Sequence, residues 1–397
     1  MTAMPAPTPR LPASAGDVFE LIRTGRATTR SEVGRLTGLS RTAVTARLVG
    51  LLESGLVVEG AEAPSTGGRP AATLRFDRRA GVVLAVAVGR SRSQLGLTDL
   101  RGTVLAELDE EQEVGIGPDE LMPRLVECGH ELLASVGRTA RDVQGIGISI
   151  PGTVDAGAGA SRESPILQGW DGIPLPPYFS DFGDAPVVLD NDANALAASE
   201  RDGLLREATD LLVVKASTGL GVGLVVDGRL ARGAWGAAGE LGHVKTRAAD
   251  GLPCRCGETG CLEAVAAGWA LVRDMREAGQ PVDHVRAVVE LALAGDADAR
   301  RLVRESGRRL GEALAGAVDL LNPQVVVLGG DLAGAFDLLV AGVRESLYAE
   351  AAAVVTRDLA VLPASHGSHA GVVGCASLAL EAVLSPAAVD RRLQARR

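Results

Sequence analysis

The 397-residue sequence is poor in aromatic residues and almost free of lysine. Phe, Trp and Tyr together make up 3% of the chain, and Lys215 and Lys245 are its two lysines, so arginine carries most of the positive charge. No uninterrupted apolar run approaches the roughly 18 residues that span a bilayer, and the first residues have proline and alanine where a secretion signal needs an apolar stretch. We therefore expect a cytoplasmic protein with no membrane contact.

Cysteine is scarce as well, with five in the chain. Three of them fall between positions 254 and 261, a spacing that suits a metal site better than a disulfide framework. With 46% apolar and 23% charged residues, the composition is that of a globular protein and excludes wholesale disorder or a fibrous class. The length predicts more than one domain.

The charge is unevenly distributed along the chain. Residues 1–80 contain 11 Arg against 7 Asp plus Glu, whereas the whole chain has a net charge of -10. The basic part is the part suited to phosphates of nucleic acid. A solvated, arginine-rich surface is the alternative, so charge alone does not decide.

The first eighty residues predict three helices followed by a hairpin. Asp17 is placed to cap a first helix, and Thr29 with Glu32 forms a capping box that begins a second. After a glycine-containing turn at 37–39, Ser40 is placed to cap a third helix whose apolar residues share one face. This order is typical of a winged helix-turn-helix DNA-binding domain, with a role in protein contacts as the alternative.

The third helix is the predicted recognition helix, because its outer face carries small or hydrogen-bonding side chains that suit a major groove. The loop 59–70 is the predicted wing, and the arginine in its Gly-Gly-Arg-Pro tip is of the kind that enters a narrow minor groove. We predict DNA contacts from Ser40, Arg41, Thr42, Thr45, Arg47 and Arg69.

From position 81 the pattern changes to short apolar strands mixed with helices. Strands at 81–88 and 94–98, a hairpin turn at 99–102, a helix over 120–136 and a buried strand at 143–150 are predicted in that order. A similar order recurs from Asp210, so the domain is predicted to be duplicated into two α/β lobes. A cleft between two such lobes is a natural ligand site.

Three segments of this domain carry groups that could bind a metal ion or a ligand. His243, Cys254, Cys256 and Cys261 have the composition of a closed tetrahedral zinc site, with free buried thiols as the alternative. The segment 190–194, Asp-Asn-Asp-Ala-Asn, offers carboxylates and amides to the hydroxyls of a polyol, although an ordinary capping loop has the same residues. The glycine-rich segment 217–223 either wraps phosphates with its amides or is only a tight turn.

Together these segments resemble the ROK family of repressors, uncharacterised reading frames and sugar kinases, over nearly the whole chain. The resemblance is carried by positions 39–41, 67–70, 191–194 (Asn-Asp-Ala-Asn), 239–243 (Gly-Glu-Leu-Gly-His), 256–257 with 260–263, 322–323 with 328–330, and 371–376. It implies an α/β architecture with an actin-like (ribonuclease H-like), two-lobed sugar kinase fold behind the winged helix-turn-helix. Regulators of this family that resemble the chain include repressors of the xylose and N-acetylglucosamine type.

The resemblance also implies roles for individual residues. Sugar hydroxyls would be held by Asn191, Asp192, Glu240, His243 and Glu263. Asp192 matches the catalytic base of the kinases, and the His/Cys cluster would hold a structural zinc ion. If one ring nitrogen of His243 binds zinc, the other can face the sugar, so the metal would orient a sugar-binding side chain.

One segment departs from the kinases of the family. Their phosphate loop has the form Asp-x-Gly-Gly-Thr-Lys, and the aligned residues at 87–92 are Ala-Val-Gly-Arg-Ser-Arg. Ala87 therefore replaces the carboxylate that helps to organise the metal and phosphate, and Arg90 replaces a glycine that lets phosphate approach the backbone. We expect sugar recognition without phosphoryl transfer.

The sequence thus predicts a disordered tail (1–14), a winged helix-turn-helix (15–78) and a sugar-kinase-like domain (79–397) with lobes at about 79–190 and 191–397. Our hypothesis is a homodimeric, or dimer-of-dimers, repressor of carbohydrate-metabolism genes that binds a double-stranded DNA operator, a small sugar effector and zinc. The rival interpretations are an ATP-dependent sugar kinase that carries a DNA-binding domain, and a regulator whose large domain docks another protein.

Overall fold

A computed structural model describes residues 13–62, 72–162, 167 and 169–395. The chain divides into two compact units. Unit 1 consists of Met1–Val83, Asp99–Thr103 and Leu380–Arg397, and unit 2 of Leu84–Thr98 and Val104–Ala379. The tail predicted to be disordered lies outside the described residues up to position 12.

Unit 1 begins with three helices and an antiparallel hairpin: α1 (Ala15–Arg23), α2 (Arg30–Thr37), α3 (Arg41–Glu53), β1 (Val57–Glu62) and β2 (Ala72–Phe76). Phe19 of α1 meets Phe76 of β2 edge-on, with ring centroids 5.4 Å apart, and Val33, Leu48 and Leu51 complete a buried core. The three helices followed by a hairpin are those of the predicted winged helix-turn-helix.

The helix starts of unit 1 test the predicted caps. The Thr29 and Glu32 capping box is confirmed. The prediction that Asp17 caps α1 is wrong: Ser14 is the N-cap, its Oγ accepts from the Asp17 amide, and the Asp17 carboxylate accepts from the Ser14 amide. The N-cap therefore lies one turn earlier than expected, and Asp17 is the second member of a capping box.

The first half of unit 2 is built on a five-stranded sheet with the order β5-β4-β3-β6-β9. Its elements are β3 (Val82–Val88), β4 (Arg92–Asp99), β5 (Val104–Glu111), α4 (Pro118–Ser135), β6 (Val143–Ile150), β7 (Val154–Asp155), β8 (Ala160–Ser161), β9 (Val187–Asn191) and α5 (Asp192–Asp202). β4 and β5 form an antiparallel hairpin, whereas β6 and β9 run parallel.

The second half repeats this plan in a sheet with the order β12-β11-β10-β13-β14. Its elements are β10 (Leu211–Ala216), β11 (Leu220–Val226), β12 (Arg229–Leu230), α6 (Glu263–Ala266), α7 (Gly268–Glu277), α8 (Val285–Ala294), α9 (Ala297–Leu321), β13 (Val325–Gly329), α10 (Phe336–Glu350), α11 (Ala353–Thr356), β14 (Ala360–Pro363) and α12 (Ala370–Leu384). The last helix of the chain, α13 (Pro386–Ala395), is part of unit 1. Antiparallel strands again lie on one side of the sheet and parallel strands on the other, as the predicted duplication requires.

One helical stretch of the described residues, Gly367–Leu384, is long and apolar enough to cross a membrane. It includes α12, and more than half of it is buried inside the protein. Val372 and Cys375 of this helix are almost completely buried, and the Cys375 thiol donates to the backbone oxygen of Val86 in β3. The burial is that of a core helix, whose apolar face is used within the fold.

The C-terminal helix α13 belongs to unit 1, where it packs on α1. Its Asp390 carboxylate accepts from the Gly16 amide at 2.9 Å, which satisfies one of the free N–H groups at the start of α1. A Cβ at Gly16 would lie 2.0 Å from the backbone oxygen of Pro386, so only glycine fits there. The end of the chain is thus built into the DNA-binding unit, although the sequence assigned it to the large domain.

Candidate functional site

The outer face of α3 is free of the packing that buries its inner face. Arg41, Thr42 and Thr45 are exposed, and Ser40 caps the helix by accepting from the Ala43 amide. α2 ends in a left-handed glycine, Gly38, two residues before this cap, so the chain turns sharply between the two helices. This face of α3 is therefore accessible, as the predicted recognition helix requires.

The remaining two predicted DNA contacts are Arg47 and Arg69. The Arg47 guanidinium donates from Nε to the Ala13 backbone oxygen at 3.2 Å, so it is engaged in holding the segment before α1. Arg69 and the predicted wing tip lie outside the described residues.

Unit 2 contains a cavity of about 620 Å³. All five predicted sugar-binding side chains line it, and so do residues of the phosphate-loop segment 87–92 and of the glycine-rich segment 217–223: its wall includes Ala87, Arg90, Asn191, Asp192, Ser217, Gly219, Glu240, His243 and Glu263. The structure thus brings together at one cavity side chains that are up to 176 positions apart in the sequence, from Ala87 to Glu263.

Asn191 and Asp192 stand where β9 turns into α5. The Asn191 side chain caps α5 by accepting from the Ala193 amide at 2.7 Å, and its Nδ2 donates to the Gly152 backbone oxygen at 2.8 Å. Asp192 is the first residue of α5, and its carboxylate forms an ion pair with the Lys215 ammonium of β10. The cap fixes the orientation of the amide, while the ion pair neutralises the carboxylate.

Glu240 and Glu263 face the same cavity with different surroundings. The Glu263 carboxylate is 3% exposed and accepts from the Leu220 amide at 2.6 Å and from Trp269 Nε1 at 3.3 Å. Glu240 keeps 41% of its side-chain surface accessible. The surrounding protein nevertheless removes part of the water from around its carboxylate, and this burial raises the pKa of Glu240. Both carboxylates are held in place as hydrogen-bond acceptors, which suits hydroxyl groups.

The predicted metal ligands converge on one point. The ligand atoms of His243, Cys254, Cys256 and Cys261 all lie within 4.8 Å of one another. Cys256 Sγ is 3.7 Å from Cys261 Sγ, and Cys254 Sγ is 3.8 Å from His243 Nδ1. Tetrahedral zinc with bonds of about 2.0 to 2.3 Å separates its ligand atoms by roughly 3.5 to 3.8 Å, so the four side chains fit a tetrahedral metal ion.

The chemistry of this cluster agrees with its geometry. Burial raises the pKa of the Cys254 thiol to about 12, so a cation is needed to hold it as the thiolate that binds metals. The Lys245 ammonium donates to Cys261 Sγ at 3.3 Å, as expected beside an anionic sulfur. His243 Nε2 lies on the other side of the ring, 3.8 Å from the Glu240 carboxylate, so one ring nitrogen faces the cysteines and the other faces Glu240.

The phosphate-loop segment connects β3 to β4 and lines the cavity. The Gly89 amide donates to the Arg92 backbone oxygen at 3.0 Å, and the Gly89 oxygen accepts from Gln112 Nε2 at 2.8 Å. The backbone groups of Gly89 are therefore used within the loop. At the cavity surface this segment offers the methyl group of Ala87 and the guanidinium of Arg90 in place of a carboxylate and a glycine.

Sequence reasoning missed both lysines and one arginine. Arg232 donates to the buried Asp190 carboxylate at 2.7 Å, and Asp190 in turn accepts from the Asn194 amide group, so this trio supports the start of α5. Lys215 and Lys245 touch Asp192 and Cys261. Their rarity was the available signal, because both lysines of an arginine-rich chain contact predicted site residues.

Comparison with known proteins agrees with this geometry. The chain is 26% identical over 357 residues to the xylose repressor of Bacillus spizizenii, covering 89% of this chain and 91% of the repressor. A solved ROK family transcriptional regulator, a homologue of the E. coli MLC protein, matches with a TM-score of 0.80 at 25% identity and covers 96% of this chain and 98% of that one. A ROK family glucokinase from Streptomyces griseus, solved with glucose and AMPPNP, matches with a TM-score of 0.64 at 29% identity, over 75% of this chain and 99% of that one.

The regulators match both the helix-turn-helix and the large domain, whereas the kinase covers three quarters of the chain. The actin-like sugar kinase fold predicted for the large domain is shown by these structures. The family model described as ROK matches residues 83–382. The chain therefore belongs to the ROK family.

Proposed function

We propose that the chain is a sugar-responsive DNA-binding repressor of carbohydrate-metabolism genes. The observation that carries the proposal is a cavity that keeps the side chains for sugar hydroxyls while its phosphate-loop segment offers Ala87 and Arg90. Unit 1 supplies the exposed face of α3, which would bind the DNA. The name of the Bacillus relative, a xylose repressor, supports the same sign of regulation.

We further propose that the sugar is bound without being phosphorylated. A general base must be free to accept a proton from the attacking hydroxyl. The Asp192 carboxylate is instead paired with the Lys215 ammonium, and that pair would have to break first. With the carboxylate of the phosphate loop replaced by Ala87, the cations that neutralise a transferring phosphoryl group also lose an anchor.

The His243, Cys254, Cys256 and Cys261 cluster would hold a structural zinc ion. Such an ion supplies folding free energy rather than chemistry, because a closed set of four protein ligands leaves no position for a reactant. The protein's own contribution is to fix the His243 ring by Nδ1 and so aim Nε2 at the cavity. Zinc is thereby proposed to preorganise one wall of the sugar site.

DNA binding is proposed to involve a homodimer, or a dimer of dimers, acting in the cytoplasm. Two recognition helices related by a twofold axis read an inverted repeat with half-sites about one helical turn, or a multiple of it, apart. Sugar would favour one arrangement of the protein over another and so shift the population that fits this spacing. A footprint of a single unpaired half-site would contradict the dimeric part of the proposal.

The direct test is a gel shift of the purified full-length chain on the DNA upstream of its own gene, with and without a panel of sugars. We expect retardation that one sugar relieves, and Asp192→Ala should bind the DNA but lose the response to that sugar. The rival kinase function is tested with the same protein and panel in a coupled ADP-release assay. Turnover near about 1 per second, a typical kinase rate, would overturn the non-enzymatic proposal.

A further inference from the structure

The segment between β12 and Glu240 is a loop with few side chains that could hold it in place. After Arg232 it reads Gly-Ala-Trp-Gly-Ala-Ala-Gly, and its one large apolar residue, Trp235, is 73% exposed. The end of the loop nevertheless forms part of the cavity wall, through Gly236, Ala238, Gly239 and Glu240. We refer to residues 232–239 as the glycine-alanine loop.

The backbone of this loop is held mainly near its ends. The Ala238 amide donates to the Arg232 oxygen at 3.1 Å and closes the loop, and an amide of β11 donates to the Gly239 oxygen at 3.0 Å. The tip lies against β7, where a Cβ at Gly236 would be 2.5 Å from the Val154 oxygen. Glycine loses more backbone freedom on ordering than any other residue, and an alanine side chain adds little contact area. A loop of this composition therefore depends on a side-chain anchor.

Arg232 is that anchor. Its Nε and Nη2 both lie 2.7 Å from Oδ2 of Asp190, a buried carboxylate in β9. The other oxygen of this carboxylate, Oδ1, accepts from the Asn191 amide at 2.8 Å and from Asn194 Nδ2 at 2.7 Å. Charge-assisted bonds to a buried carboxylate are among the strong hydrogen bonds of proteins. One carboxylate thus joins the glycine-alanine loop to the start of α5.

This junction connects two walls of the cavity. Asn191 and Asp192 directly follow Asp190 at the end of β9 in the first sheet, whereas Glu240 follows the loop that leaves β12 in the second sheet. The Thr153 hydroxyl donates to the Glu240 carboxylate at 3.3 Å, so Glu240 also depends on the first half of unit 2 for its position. Hydrogen bonds to a sugar hydroxyl need heavy-atom distances of about 2.7 to 3.2 Å, which both walls meet together only at a fixed spacing.

We propose that Arg232 is a positioning residue of the sugar site, which acts through Asp190 to hold the glycine-alanine loop, and with it Glu240, in the sugar-binding arrangement. Arg232 does not itself line the cavity. The inference rests on the proposed sugar-responsive function and adds a residue to its machinery. A site that is competent for only a fraction of the time loses apparent affinity by that fraction, so a loop ordered about 1 to 10% of the time weakens sugar binding by about ten- to a hundredfold.

Hydrogen exchange and calorimetry on the purified full-length chain test this role, with xylose, glucose and N-acetylglucosamine as separate ligands. In Arg232→Ala we expect the amides of residues 231–241 to exchange at nearly the rate of an unprotected chain. The affinity for whichever of these sugars the wild-type chain binds should fall by about ten- to a hundredfold.

Arg276→Ala is the matched control. The Arg276 guanidinium donates from Nε to the Val282 oxygen at 2.6 Å, so it anchors the loop that follows α7, outside the cavity. Its replacement should speed exchange around residues 278–283 and leave both the exchange of 231–241 and the sugar affinity unchanged.

Two further measurements distinguish positioning from a general loss of stability. Saturating sugar should restore the protection of residues 231–241 in Arg232→Ala, because the bound sugar orders the loop that has lost its anchor. Arg232→Lys keeps a cation but not the planar fork of donors, so it should recover part of the lost affinity and protection. The lysine variant also carries the test if Arg232→Ala does not fold.

The outcomes separate this inference from the proposed function. Unchanged exchange of residues 231–241 in the Arg232 variants would overturn the inference whatever the ligand. Faster exchange with wild-type sugar affinity would mean that binding does not need the ordered loop, which overturns the inference while the repressor function stands. If the wild-type chain binds none of the sugars and none of them releases its DNA, the proposed function fails, and the positioning role with it.

Discussion

Replacing Gly223 by alanine tests whether α5 is held where the sugar-binding side chains need it. Gly223 lies in β11 beneath α5, and a Cβ there would be 2.4 Å from the Ala193 backbone oxygen and 2.6 Å from the Ala197 side chain. Both atoms belong to the body of α5, so neither can rotate away. The helix must move outward by about 1 Å to restore ordinary contact distances, and overpacking of this kind costs about 1 to 3 kcal/mol in the free energy of unfolding.

The displacement reaches the ligand site because α5 begins at Asp192 and is capped by Asn191. Hydrogen bonds to a sugar hydroxyl keep heavy atoms within about 2.7 to 3.2 Å, a window that a shift of about 1 Å leaves. Losing the contacts of both side chains, at about 1 kcal/mol or more each, weakens sugar binding by about 30-fold or more. α3 and its exposed face lie in unit 1, so DNA binding in the absence of sugar should persist.

Calorimetry with the effector and thermal unfolding measure the two consequences. Gly316→Ala is the matched control, because Gly316 lies on α9 and the added Cβ would have no heavy atom within 4 Å other than those of its own stretch of helix. That substitution should raise the free energy of unfolding by up to about 1 kcal/mol, since alanine favours a helix over glycine, and should leave sugar affinity unchanged. A Gly223→Ala protein with wild-type stability and sugar affinity would refute the packing account of the site.

Three further substitutions test the other parts of the molecule. Arg41→Ala should weaken operator binding about tenfold or more in an anisotropy titration while sugar affinity stays constant; equal losses of both would contradict separate roles for the two units. Cys256→Ser should abolish the bound zinc measured by mass spectrometry and lower the unfolding temperature, and a zinc-free variant with wild-type stability and sugar response would remove the metal assignment. Gly16→Ala places a Cβ 2.0 Å from the Pro386 oxygen, so α13 should detach and become cleavable by protease, with weaker DNA binding; unchanged proteolysis would mean that the contact is not needed.

Local signals made much of the fold predictable from the sequence. The strand 143–150 and the start of α3 at Ser40 match the structure, because apolar runs and side-chain caps act over a few residues. The capping box at Thr29 is confirmed for the same reason. The helix α1 was misassigned by one turn only, since Ser14 and Asp17 are two halves of one capping box and either half alone resembles a cap.

Contacts between distant positions could not be predicted in the same way. The bond between Gly16 and Asp390 joins residues 374 positions apart, and neither residue carries a local sign of its partner. The ion pair of Asp192 with Lys215 spans two elements, and its sequence signal is a single lysine inside an otherwise apolar strand. Such pairings depend on how the strands and helices stack, which periodicity does not encode.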